Sequence, residues 1–133
     1  MKTPNRRDGS LRACIVALAL TGLGGTASAQ NLYRTLKGTP AESFTEEDSR
    51  LFREASLKAL NETSVGETVS WRNPKTQSHG ELKVVKDFTW KQNACRQIQV
   101  SSEAKGRRAT NAVDLCKVSD KWRLVSPTEL SKG

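Results

Sequence analysis

The stretch CRQIQVSSEAKGRRATNAVDLC, residues 95–116, decides the fold. It is bounded by Cys95 and Cys116, and the remaining cysteine of the chain, Cys14, lies near the start. Two runs alternating apolar and polar residues meet at Ala104, Lys105, Gly106 and Arg107, which read as the turn of a hairpin. If residues 95–102 and 109–116 pair antiparallel around that turn, Cys95 falls opposite Cys116, Ile98 opposite Val113 and Arg96 opposite Leu115. Side chains alternate along a strand with a period of two, so the apolar residues then share one face and the cysteines lie on the other.

Three chemistries compete for the cysteine pair. A zinc site needs four ligands, and the only histidine, His79, has no cysteine or histidine at ligand spacing. A redox pair would usually read C-x-x-C, which is absent. A structural disulfide needs an oxidising compartment, and the first residues of the chain supply one. MKTPNRRDGSLR carries Lys2, Arg6, Arg7 and Arg12 ahead of the apolar run ACIVALALTGLGG, and TASAQ follows with Ala27 and Ala29 at the small positions of an A-x-A site. Residues 1–29 therefore read as a secretory signal peptide, with cleavage expected before Gln30. The apolar run of thirteen residues is short of the ~20 that span hydrocarbon.

Arg6 and Arg7 also fit a twin-arginine signal, but Asp8, Gly9 and Ser10 follow where an apolar residue would continue it, so general secretion is expected. Cys14 stands at the beginning of the apolar run rather than its end, the wrong place for lipidation. Closing the 22-residue loop from Cys95 to Cys116 is worth roughly 3 kcal/mol in a chain-entropy model, a large share of the ~5–15 kcal/mol of a small domain.

Without the leader the formal net charge falls from +8 to +5 over 104 residues, the size of one domain. No second apolar run is long enough to span a membrane, so no transmembrane segment is expected in the mature chain. Upstream of the hairpin, TEEDSRLFREASLKALNE opens with Thr45 as N-cap, places acids in the first turn, and spaces Leu51, Phe52, Ala55 and Ala59 along one helical face. From Gly66 the period changes to two. ETVSW aligns Val69 with Trp71, and ELKVVKDFTW aligns Leu82, Val84, Phe88 and Trp90 on one face, interrupted by Lys86.

With KWRLV, about five antiparallel strands result. The expected fold class is α+β: one N-terminal amphipathic helix packed on that sheet, with one disulfide. Residues 30–44 and 127–133 read as flexible ends around a domain of residues 45–126.

The order of these features resembles the C-terminal domain of the bacterial seventeen-kilodalton outer-membrane surface antigen family. The residues that carry the likeness are Asp48, Arg50 and Ala55 on the helix, Trp71, Arg72, Asn73, Pro74 and Gly80 in the first hairpin, then Cys95, Arg96, Gly106, Arg107, Cys116 and Trp122. They cover roughly residues 45–125. Members of that family commonly carry a lipidated cysteine and a glycine-zipper segment ahead of this domain, and this chain has neither. The resemblance therefore implies a periplasmic or secreted envelope module, with a peripheral place at the outer membrane left open, and it supplies no catalytic residue.

An enzyme would need players that are missing here: the chain has one histidine, no G-x-S-x-G, no H-E-x-x-H and no phosphate-cradling glycine loop. Asp87 and Asp114 are single acids on strands, with no spacing that pairs them for acid-base work. No catalytic, cofactor-binding or metal-binding residue is expected. Charge is segregated instead, because residues 68–133 carry thirteen bases and six acids whereas residues 42–67 carry seven acids and three bases. Such a field draws anionic partners.

Lys105, Arg107 and Arg108 at the hairpin tip are the densest cluster and the candidate binding residues, weighed against a merely solvated tip. Trp71, Trp90 and Trp122 read as core or core edge, each on the apolar side of its strand. Arg96, on the otherwise apolar face, must find carbonyls or a side chain near Asn73. The expected partner is an anionic cell-envelope component or an envelope protein. The alternative is a periplasmic inhibitor that plugs a hydrolase with a disulfide-held loop. Nucleic acid is not an expected partner of an exported chain lacking an RNA-binding aromatic motif.

Overall fold

The structure is a computed structural model, and it describes residues 38–133. The expected leader, residues 1–29, and residues 30–37 of the lead-in lie outside the described residues. Helix α1, Glu46–Asn61, precedes five strands: β1 Thr68–Arg72, β2 His79–Trp90, β3 Asn93–Ala104, β4 Arg107–Val118 and β5 Lys121–Val125. A short helix α2, Pro127–Ser131, follows. The strands form one antiparallel sheet in the order β1-β2-β3-β4-β5.

Three of the four hairpins close with two residues, and both residues of each loop have positive φ: Lys91 and Gln92, Lys105 and Gly106, Ser119 and Asp120. That geometry matches the right-handed twist of the flanking strands, which is why two-residue loops of this kind dominate hairpins. It fixes the register of each pair. In β3 and β4, Cys95 stands opposite Cys116 and Ile98 opposite Val113, as the sequence register implies, and the two sulfurs are bonded with a Cα–Cα separation of 4.0 Å.

Helix α1 begins at a capping box. The Asp48 amide donates to Thr45 Oγ1 at 3.1 Å, and the Thr45 amide donates to Asp48 Oδ2 at 2.9 Å, so two orphan donors of the first turn are satisfied. The helix buries Phe52, Ala55, Ala59 and Leu60 against Trp71, Leu82, Val84, Ile98, Val100 and Val113. The phenylalanine, leucine, isoleucine and valine side chains among these contribute about 1.5–3 kcal/mol each when fully buried. Ala59, fully buried, keeps the helix close to the sheet.

One strand departs from the expected pattern. Leu82 and Val84 face α1, but Phe88 and Trp90, expected beside them, lie on the opposite face with the disulfide. The cause is a β-bulge: Val84 pairs with Ile98 and Lys86 with Gln97, so Val85 is an extra residue that switches the face of everything after it. The same switch removes the anomaly of Lys86, which stands exposed instead of interrupting an apolar face. Phe88, Trp90, Val118 and Leu130 pack around Cys95, Cys116 and Val125 in a second, smaller cluster.

Both expected flexible ends differ where they are described. Thr39 caps a 3-10 turn, Pro40–Ser43, in which Pro40 is buried, and Phe44 meets Trp71 edge-on at 5.1 Å. At the other end Ser126 and Glu129 form a capping box for α2, and Leu130 covers the disulfide cluster. Each end carries a Thr-Pro or Ser-Pro helix start and an apolar anchor, which outweighs its polar composition.

Candidate functional site

The polar residues singled out in the sequence separate into two fastenings, one at each end of α1. At the N-terminal end the fully buried Asp48 receives Asn73 Nδ2 and Thr76 Oγ1, each at 2.7 Å on Oδ1. Burial alone would push its carboxyl up, but the donors Thr45 N–H, Thr76 and Asn73 together outweigh burial and hold it below the ordinary value. Asn73 is also buried, and its Oδ1 accepts the Lys75 amide at 3.0 Å, the bond of an Asx turn that starts the β1–β2 loop. Its neighbours serve the same loop. Arg72 donates to Gln77 Oε1 at 2.6 Å, and the Pro74 carbonyl accepts from Gln77 Nε2 at 2.9 Å. Trp71 is buried opposite Gly80, where a Cβ would lie only 2.7 Å from the indole nitrogen, so the pair requires glycine.

At the other end Arg96 reaches from β3 to the helix C-terminus. Its Nη1 donates to the carbonyls of Ala59 at 2.9 Å, Leu60 at 3.4 Å and Thr63 at 2.6 Å, where the last turn of a helix leaves acceptors without partners. Its Nε and Nη2 hold both oxygens of Asp87, at 2.7 and 3.0 Å, directly across the strand pair. The expected carbonyl partners are therefore those of the helix end, and Asn73 belongs to the opposite fastening. The Arg96 hydrogen bonds hold the Asp87 carboxyl below its ordinary range, against a smaller opposing effect of burial.

The hairpin-tip cluster is only partly free. Arg108 is paired with Glu103 at 2.7 Å, and Glu103 also lies 3.3 Å from His79 Nε2. Arg107 donates to the Gly38 carbonyl at 3.1 Å, which leaves Lys105 as the member without such a partner. Asp114 accepts from Gln97. The tryptophans divide: Trp71 is core, Trp122 borders the same core with its Nε1 bonded to Asn61 Oδ1 at 2.9 Å, and Trp90 sits on the disulfide face.

Cations behave in two ways. Arginines make the ion pairs: two guanidinium nitrogens meet the carboxylate in Arg50 to Glu47, Arg96 to Asp87 and Arg108 to Glu103, and one nitrogen does so in Arg50 to Glu54 and Arg123 to Glu129. All nine lysines among the described residues are exposed and none makes a salt bridge. Several gather on the aromatic rings at the end of the sheet remote from the tip, with Lys86 5.6 Å from the Phe88 ring, Lys91 4.6 Å from that of Trp90 and Lys117 6.0 Å from that of Trp122. The sequence reading found the dense cluster and missed these lysine–ring pairs, which lie on both faces of the sheet, Phe88 and Trp90 on the disulfide face and Trp122 beside the helix-side core.

Among the described residues no group of three or more histidine, cysteine, aspartate or glutamate side chains is placed to hold a metal ion, and no helix is long and apolar enough to cross a membrane. Compared with protein families, curated proteins and solved structures, the chain matches none.

Proposed function

We propose that this chain is an exported, non-catalytic cell-envelope protein, periplasmic or secreted, whose basic sheet binds an anionic envelope component. It is read as a surface-antigen-like module in which an amphipathic helix precedes and packs on the sheet. The observation that carries the proposal is the division of labour among cations: four of the described arginines, Arg50, Arg96, Arg108 and Arg123, are engaged in ion pairs, whereas every described lysine stands exposed without one. Lysine is a compact, strongly hydrated charge on a flexible stem, suited to non-bidentate attraction of an anionic surface. The disulfide joins two neighbouring strands at the end away from the hairpin tip, so it does not hold a protruding loop of the kind an inhibitor would use.

The test is retention on isolated envelope fractions as salt is raised, for the parent chain and for Lys83, Lys86 and Lys91 replaced together by Gln. Exposed charges are screened over about 8 Å at physiological salt. Retention should therefore fall with salt and fall again in the triple variant. Retention indifferent to both would overturn the proposal.

A further inference from the structure

Helix α1 packs on β1 and β2 and leaves the inner face of β4 and β5 half covered. Leu115, Trp122 and Leu124 are only partly buried there, and Leu57 on the flank of the helix is 50% exposed. Between them lies an apolar hollow of about 160 Å³ that reaches Val113 and Ile98. An apolar cavity of ~150 Å³ holds a benzene-sized group, so this one takes the end of a hydrocarbon chain.

The hollow does not stand alone. Leu60 and Trp122 also line a wider, more polar hollow of about 540 Å³ beyond the end of α1, where Asn61, Arg96, Asp87 and Lys117 stand beside the apolar Phe88 and Ala94. The bond from Trp122 Nε1 to Asn61 fixes the indole as the wall between the two spaces. In the polar space Arg96 is already matched by the Asp87 carboxylate. Lys117 is therefore the cation left for a ligand, exposed and 6.0 Å from the Trp122 ring.

We propose that the two hollows form one site for an anionic single-chain amphiphile, with the hydrocarbon end in the apolar hollow, the chain running along Trp122, and the head group at Lys117. This rests on the anionic-partner reading above and names the chemical class of that partner. Charge selects the occupant: a cationic head would meet Lys117, and an uncharged chain would leave it unpaired.

The probe is 11-bromoundecanoate, whose terminal bromine quenches a nearby indole, added to the purified chain below its micelle concentration, with an undecyl chain bearing a trimethylammonium head as the comparison. Saturable quenching is expected, absent in Leu57→Glu, weakened about two- to fivefold in Lys117→Glu as for an exposed charge pair, and weaker still for the cationic chain. Both substitutions are at exposed positions, so a matched circular-dichroism spectrum and melting curve confirm that the fold is kept.

Absence of saturable quenching, or equal binding of the cationic chain, overturns the proposal. So does binding that appears only after residues 30–37 are deleted, because the hollow then belongs to the chain's own lead-in. If the probe fails while retention on envelope fractions stays salt-dependent, this inference alone falls. If both fail, the anionic-partner reading falls with it.

Discussion

The two ends of α1 are held by opposite charges working in opposite directions. At the N-terminus a helix residue, Asp48, reaches out and gathers the β1–β2 loop through Asn73 and Thr76. At the C-terminus a sheet residue, Arg96, reaches in and takes the carbonyls of Ala59 and Leu60 in the last turn and of Thr63 just beyond it. Each charge complements the helix dipole at its own end. The difference lies in solvation, since Asp48 is fully buried whereas Arg96 shares its charge with Asp87, whose side chain is 53% exposed. An anion without water depends wholly on its donors, so the Asp48 end should be the more fragile under substitution.

The largest effect is therefore expected from Asp48→Ala, which strands the buried Asn73 amide and also removes the charged acceptor of the Thr76 hydroxyl and the Thr45 N–H, both on exposed residues. An unsatisfied buried group costs ~1–3 kcal/mol and a lost hydrogen bond to a charged group a comparable amount, so a loss of about 3–5 kcal/mol in urea unfolding is expected. The same end should also fail first in acid. The Asp48 carboxyl is held below its ordinary value in the folded state, so its stabilisation is complete above the unfolded value, ordinarily near 3.8, and is lost as pH falls through the lowered folded value. Asp48→Asn should flatten the fall in stability as the pH drops below the ordinary carboxylate value. If the variant retains the parent's acid slope, the contrast between the two ends is wrong.

Next in size is the disulfide, which stands beside Arg96 on β3 and braces that end of the sheet. Cys95→Ser and Cys116→Ser should each cost about 3 kcal/mol and the double variant little more, because each removes the same bond. Hydrogen exchange should then open the C-terminal turns of α1 before the Asp48 end. Strongly additive losses would contradict a single bond.

Arg96→Ala should cost less, about 2–3 kcal/mol, because Asp87 can return to water and only the helix carbonyls lose a charged donor. Arg96→Lys should recover part of this, since one ammonium can serve the carbonyls or the carboxylate but cannot reproduce the fork. Equal melting temperatures for Arg96→Lys and the parent would show that the bidentate geometry contributes nothing.

How much of this was legible in the sequence depended on whether the signal was local. The hairpin of β3 and β4, its register and the cysteine pair were readable because period-two alternation and a Lys-Gly turn fix one another within 22 residues. The Thr45 cap was equally local. The placement of Phe88 and Trp90 was not, because a bulge at Val85 leaves no distinctive residue and merely shifts the phase of a pattern whose apparent flaw, Lys86, was its trace. The Arg96 position announced a need for partners without saying which, since its carbonyls lie 33 to 37 residues away in sequence. The ordered ends were missed although Ser126, Pro127 and Glu129 spell a capping box.

The smallest structural effect is expected at the hairpin tip, and it carries the contrast from helix ends to surface charge. Arg107→Glu with Arg108→Glu removes the Arg108 pair with the half-buried Glu103 and the Arg107 contact with the Gly38 carbonyl, both arginines being exposed. Exposed ion pairs contribute little, so the thermal midpoint should barely move. Retention on envelope fractions separates the two kinds of cation. If lysines make the attractive field, charge reversal at the tip should reduce retention less, per unit of charge changed, than replacement of Lys83, Lys86 and Lys91. The tip arginines are already engaged, whereas these lysines make no ion pair, and Lys86 and Lys91 lie over aromatic rings. A larger loss per charge from the tip variant would return the binding role to Lys105, Arg107 and Arg108, and would mean that an arginine engaged within the fold can exchange its internal partner for an external anion.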